Sequence, residues 1–189
     1  PEGIDAFVAA VTAQEDQIDI LVNNAGAAWG APLGEFPAIG FDKVMDINVK
    51  APFMLTQALL PQLKASGTAE DPARVVMIGS IDGIRVPHGD NYSYSASKAA
   101  IHMMTRHMAA HLVGEHILLN SIAPGPFPSK MMAYMLEDEE RSEFVHSSNP
   151  RKRIGTAQDI AGAVIFLSSR AGAYTTGTVI PVDGGVSTL

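Results

Sequence analysis

An α/β fold built on a parallel sheet is what this chain predicts, and three observations carry the prediction. Four short runs rich in β-branched residues stand out: "IDILV" (18–22), "RVVMI" (74–78), "ILLNSI" (117–122) and "TVIPV" (178–182). They are mostly continuous apolar runs rather than alternating ones, as strands covered on both faces require. Longer stretches of helical pattern separate them, in a chain that is 47% hydrophobic and 17% charged. That balance supports a packed core, and 189 residues suit one domain or a large piece of one.

The elements follow in order. "GIDAFVAAVTAQ" predicts a helix before the first strand, and "FDKVMDINVKAPFMLTQALLPQLKA" a long helix after it. The polar loop "SGTAEDPA" (66–73) leads into the second strand. "SYSASKAAIHMMTRHMAAHLVG" gives the helix between the second and third strands. The connection from Pro124 to Gly155 is long, proline-bearing and acidic around "LEDEER". In a compact domain such a length marks a lid or binding loop, which we place at about 126–152. "AQDIAGAVIFLSS" is the last helix, opened by a capping-box pattern of Thr156 and Asp159. Alternation of strand and helix implies right-handed crossovers.

Bulk properties narrow the function. A net charge of −7 argues against nucleic acid as a partner, since that role needs a basic face. With no cysteines, disulfides and thiolate metal sites are ruled out. No apolar stretch reaches the roughly 18 residues of a membrane span, and no basic-then-apolar leader opens the chain. The expectation is a cytoplasmic protein without a membrane partner. The chain begins with Pro1 rather than methionine, so a truncated or processed start is expected.

Chemistry concentrates in "NYSYSASKAA" (91–100), where Lys98 lies four residues beyond Tyr94 and six beyond Tyr92. On a helix only the four-residue spacing shares a face, so Tyr94 is the tyrosine that can approach the ammonium. A free phenol titrates near 10, and a cation within about 4–6 Å favours the phenolate. Ser80 ends the second predicted strand, "LVNNAG" ends the first and "SIAPGPFPS" the third. Parallel sheets gather their sites at the carboxyl ends of strands, so these three turns and the tyrosine helix are expected to converge.

The motifs "NNAG" (23–26), Asn48 in "DINVKAPF", "IGS" (78–80), "YSASK" (94–98), "NSIAPG" (120–125) and "TGTVIPVDGG" (176–185) stand in one order along the chain. In that order they resemble the short-chain dehydrogenase/reductase family, from the first residues to the last. The resemblance implies a Rossmann-like doubly wound parallel sheet and an oxidoreductase that moves hydride between a nicotinamide and a carbonyl or secondary alcohol. It implies Tyr94 as general acid for reduction, and Lys98 as the group that lowers the phenol's pKa and holds the nicotinamide ribose. Ser80 is implied to bond the substrate carbonyl, and Asn48 to hold a water in a proton path through Lys98. Asn24, Ala25 and Gly26 fall on the adenosine side of the cofactor. Pro124, Gly125, the Phe127 backbone and Ser129 fall at the nicotinamide, where Ser129 replaces the family's commoner threonine.

Ser80 precedes Tyr94 by fourteen positions, one more than the family's usual spacing. A subgroup resembling NADPH-dependent β-ketoacyl reductases shares that spacing, together with "AWGAPL", "GPFPSKM" and "GAYTTGTVIPVDGG". The implied substrate is a 3-oxoacyl thioester or similar ketone and the implied cofactor NADP(H), with NAD left open. Apolar residues on more than one face of the helices around Asn48 and after Lys98 suit the homodimer or homotetramer contacts that the resemblance implies, and buried packing within the chain would give the same pattern. Alternatives are a same-family dehydrogenase of a steroid, sugar or other secondary alcohol, and a catalytically silent binding protein. The family's glycine-rich phosphate fingerprint is not found, so the domain is expected to be incomplete at its amino-terminal side. "IDILV" would then form a bare sheet edge. His107 and His111, spaced i,i+4, read as exposed helix residues rather than metal ligands, while Met131, Met132, Met135 and Trp29 are candidates for an acyl pocket.

Overall fold

The computed structural model describes residues 2–129 and 139–188. Strands β1 (Ile20–Asn23), β2 (Ala73–Ile78), β3 (Ile117–Pro124) and β4 (Val179–Val182) form one sheet in that order, and every neighbouring pair is parallel. Parallel neighbours cannot be joined by a tight turn, so helices make each crossover. These are α1 (Glu2–Thr12), α2 (Ala38–Met45), α3 (Ala51–Ala58), α4 (Leu60–Ser66), α5 (Tyr92–Leu112), α6 (Glu139–Ser148) and α7 (Ala157–Ser168). The Rossmann-like α/β class expected from the sequence is the one found. Residues 130–138 of the expected lid, including Met131, Met132 and Met135, lie outside the described residues.

Alternate strand residues reach opposite helical layers, because successive side chains on a strand point to opposite faces. Ala73, Val75 and Met77 of β2 pack with Ile117 and Leu119 of β3 against Leu63 of α4 and Ile101 and Ala109 of α5. Val76 and Ile122 face the other way, against Leu167 of α7. At β1 the pattern breaks. Leu21 joins the first layer, whereas Ile20 and Val22 are 47% and 40% exposed. Among the described residues β2 is the only strand paired with β1, which makes the expected bare edge.

The single long helix expected over residues 41–65 is instead three helices. Proline has no N–H to give to the carbonyl four residues back, so Pro52 and Pro61 each force a change in the ladder. Before Pro52 the chain widens into a π turn, Asp46–Lys50, closed by the Ala51 N–H on the Asp46 carbonyl. Before Pro61 it breaks at Leu59, where φ −94° and ψ 6° leave the helical well. The apolar period runs through both prolines, which is why it read as one element.

Leu119 is 0% exposed in the centre of the first layer and Leu33 is 75% exposed. Leu119→Ala is expected to cost about 2–5 kcal/mol in chemical denaturation, and Leu33→Ala less than about 0.5 kcal/mol.

Candidate active site

Parallel strands release the chain at one edge of the sheet. Asn24–Gly26 leave β1 there, Gly79–Ser80 leave β2 and Gly125 leaves β3, and the first turns of α5 come to meet them. The buried residues of α5 are Ser93, Ser97, Lys98, Ile101, His102, Thr105 and Ala109. Steps of three and four place them on one face, and most of them are polar. A helix that packed only for stability would bury an apolar stripe. This one brings polar groups inward at the strand ends.

The structure brings Ser80, Tyr94 and Lys98 together. Ser80, 8% exposed, caps the 3-10 turn Ile81–Gly83 by accepting the Asp82 N–H at 3.1 Å. Its hydroxyl also stands near enough to the half-buried Tyr94 phenol to favour the phenolate. Lys98, 4% exposed, donates from Nζ to the Ile78 carbonyl at 2.8 Å, and that ammonium lies 5.5 Å from the centroid of the Tyr94 ring. Tyr92 is elsewhere: it is 39% exposed and its hydroxyl donates to Asp90 at 3.0 Å. Four-residue spacing and three-dimensional geometry select the same tyrosine.

Asn48 sits in the π turn and is 2% exposed. Its Oδ1 accepts the Ala27 N–H at 2.8 Å, while Nδ2 donates to the Ala27 carbonyl and to Ser97 Oγ, each at 2.9 Å. Ser97 in turn donates to the Tyr94 carbonyl at 2.7 Å. One amide therefore ties the loop after β1 to the tyrosine turn of α5. Because residue 52 is proline, the Asn48 main-chain carbonyl has no N–H four residues on to accept.

The residues implied for the cofactor border this cluster. Asn24, Ala25 and Gly26 are exposed, and a Cβ on Gly26 would stand 3.5 Å from Asn48 Oδ1 and 3.8 Å from Lys98 Nζ. A flat, hydroxyl-bearing ligand fits such a ledge, small in side chain and flanked by an amide and an amine. Pro124, Gly125 and Phe127 are half-buried at the end of β3, and Ser129 beyond them is exposed. Gly125 is pressed so closely to Asp183 that a Cβ would fall 2.7 Å from its Cα, and Phe127 lays its ring on Gly155.

Electrostatics here are governed by burial. Desolvation pulls the Lys98 ammonium down to about 8. Burial likewise raises the Tyr94 phenol; the nearby Ser80 hydroxyl lowers it and the Asp82 charge raises it again, leaving it above the ordinary value. The sequence reading made the lysine charge the agent that lowers the phenol. In the structure the phenol stands above its ordinary value, with desolvation the largest cause and the opposing pull coming from Ser80.

Ser97, Asp82 and His102 belong to the site and were not singled out by the sequence. Ser97 stands in "YSASK" itself and His102 lies four residues past Lys98, so helical spacing was the available signal. Trp29 proves to pack on α2, its ring over Gly40 and 6.0 Å from Lys43 Nζ. His107 and His111 lie ring to ring at 5.1 Å, and no cluster of three or more metal-ligating side chains occurs among the described residues.

A buried lysine whose pKa is depressed costs stability while it is charged. That penalty is full below pH 8, where folded and unfolded chains are both protonated, and fades as pH rises from about 8 to the ordinary 10.5. Lys98→Met is therefore expected to raise Tm by several degrees at pH 7, by scanning calorimetry, with the advantage shrinking toward pH 10.

Comparison with known proteins agrees with this geometry. A family model described as enoyl-(acyl carrier protein) reductase matches residues 1–187. The rhamnolipids biosynthesis 3-oxoacyl-[acyl-carrier-protein] reductase of Pseudomonas aeruginosa is 48% identical over 169 residues, covering 89% of this chain and 66% of that protein. The 2-dehydro-3-deoxy-D-gluconate 5-dehydrogenase of Escherichia coli is 36% identical over 188 residues, covering 97% and 71%. Among solved structures, the Pseudomonas aeruginosa RhlG/NADP active-site complex superposes with a TM-score of 0.95 at 45% identity, over 98% of this chain and 73% of that one. The chain spans about two thirds of the length of these curated relatives. With the family model matched along almost its whole length and the serine, tyrosine and lysine gathered at one sheet edge, the chain belongs to the short-chain dehydrogenase/reductase family.

Proposed function

We propose that this chain carries the catalytic constellation of an NADP(H)-dependent carbonyl reductase whose substrate is a 3-oxoacyl thioester. The observation that carries the reading is the meeting of Ser80, Tyr94 and Lys98 at the carboxyl edge of the sheet. The dinucleotide, when bound, supplies the hydride. Ser80 holds the substrate carbonyl and stabilises the charge that develops on its oxygen. Tyr94 gives that oxygen a proton. Lys98 holds the ribose hydroxyls, and the Asn48 carbonyl holds the water that returns a proton through the amine. Asn24, Ala25 and Gly26 take the adenosine side, and Pro124, Gly125, Phe127 and Ser129 the nicotinamide side.

Burial holds the Tyr94 phenol protonated at neutral pH, the state from which reduction begins, whereas alcohol oxidation needs the phenolate and would gain as pH rises. The thioester assignment and the choice of NADP(H) rest on likeness to the rhamnolipid reductase and to the complex with NADP. A second reading, a sugar-acid dehydrogenase, is favoured by one feature. Asp82 places a carboxylate near the phenol, hydrogen-bonded to Asn91 at 3.1 Å, where a polyol could donate to it, and gluconate enzymes recur among the relatives.

A homodimer or homotetramer is supported by the apolar side chains left exposed on the helices, Met103 at 61% on α5 and Ile165 at 66% on α7. No described helix is long and apolar enough to cross a membrane. The cytoplasm is the compartment we propose.

The test is NADPH absorbance with a panel of 3-oxoacyl thioesters and 5-keto sugar acids, run on the full-length wild-type enzyme and two variants. Tyr94→Phe is expected to lower kcat at least about a hundredfold and Tyr92→Phe to change it little. Turnover of keto sugar acids alone would favour the second reading, and equal losses in the two variants would contradict the choice of tyrosine.

A further inference from the structure

His102 stands on α5 one turn beyond Lys98 and two beyond Tyr94, on the buried face, and is 5% exposed. The proposed reaction gives it no task. Its ring is wedged against the end of β2. A Cβ on Gly79 would collide with His102 Nε2 and would lie 2.8 Å from Cδ2 and 2.9 Å from Ser121 Oγ. Nε2 has no hydrogen-bond partner among the described residues, and the Gly83 backbone is near enough to the ring to favour its protonated form. A carbonyl can only accept, so the neutral tautomer that serves Gly83 while Nε2 is unpartnered carries its proton on Nδ1. Burial keeps the imidazole down at about 4, so at neutral pH it adds no charge beside Lys98.

Gly83 closes the turn that Ser80 caps, and it too is pressed onto the catalytic helix. A Cβ there would stand 2.5 Å from the Lys98 carbonyl carbon and 2.6 Å from the Ala99 nitrogen. One imidazole thus braces both ends of the segment Gly79–Gly83, with Ser80 between them. We infer that His102 is a positioning residue, which through Gly79 and Gly83 sets the Ser80 hydroxyl against the Tyr94 phenol. The inference deepens the proposed reductase reading and rests on its assignment of Ser80 and Tyr94.

The experiment reads the carbon-13 resonance of Tyr94 Cζ at neutral pH in the whole chain, assigned by its loss in Tyr94→Phe, beside kcat and KM with NADPH and a 3-oxoacyl thioester. His102→Leu keeps bulk and removes the donor. It is expected to shift the resonance as Ser80→Ala does, and to lower kcat at least about tenfold with KM within about threefold. His102→Asn keeps an N–H at the Nδ1 position and is expected to restore the wild-type resonance and most of kcat. In the double variant His102→Leu/Ser80→Ala the resonance should move no further than in Ser80→Ala alone. A folded His102→Leu with the wild-type resonance, or shifts that add in the double variant, would overturn the inference. If His102→Leu does not fold, His102→Gln takes its place, since its donor sits a bond further out. It should shift the resonance where His102→Asn does not, and identical spectra for the two would refute the role. The resonance needs neither cofactor nor substrate. A full-length wild-type enzyme without turnover would therefore sink the reductase reading and leave this comparison standing.

Discussion

The bond from Lys98 Nζ to the Ile78 carbonyl, 2.8 Å long and almost wholly buried, is the constraint around which the rest of the molecule is arranged. An ammonium withdrawn from water needs fixed acceptors, and the last carbonyl of β2 is the one this fold provides. Accepting that lysine obliges α5 to present a polar face to the strand ends. Serines at 93 and 97, a histidine at 102 and a threonine at 105 occupy places where a stability-driven helix would carry leucine or valine. Stability comes instead from the layers farther along the sheet, where Met77, Ile101, Leu119, Ile122 and Leu167 are closed to solvent. Apolar packing holds the sheet and helices, and the polar end they hold does the chemistry.

Backbone irregularity completes the arrangement. Pro52 converts one helical turn into a π turn, and the widened turn carries Asn48 inward, where its amide clasps both Ala27 and Ser97. Gly79 and Gly83 let a strand end and a tight turn approach α5 at distances no side chain would allow. Each device shortens the path between an element that bears a functional group and an element that fixes it. Together they hold three chain segments, distant in sequence, within one hydrogen-bonded cluster, which is how a site built on loop beginnings acquires the precision of a core.

Much of this was legible in the sequence because it is local. Four apolar runs at strand length, helical pattern between them and a lysine one turn past a tyrosine are read without tertiary knowledge. Ser80 could be placed because a parallel sheet must release every strand at the same edge. What escaped depends on contacts between segments. Ser97 and His102 look like ordinary helix residues until Asn48 and Gly79 are found opposite them. The pattern of residues 41–65 concealed two breaks because its apolar period continues through Pro52 and Pro61. The burial that raises the Tyr94 phenol escaped for a similar reason: charge spacing along a helix is visible in sequence, whereas desolvation is a property of the packed site. β1 shows the converse, an apolar run that reads as covered on both faces although Ile20 and Val22 face no described layer.

The account turns on the lysine being buried and held, and its titration reads that directly. Chains carrying lysine labelled with carbon-13 at Cε can be followed by NMR from pH 6 to 11, with Lys98 assigned by its loss in Lys98→Met. The account predicts one lysine titrating near 8, well apart from the others. A Lys98 resonance that moves with the rest, near 10.5, would mean that the amine is solvated and that the site is not organised around it.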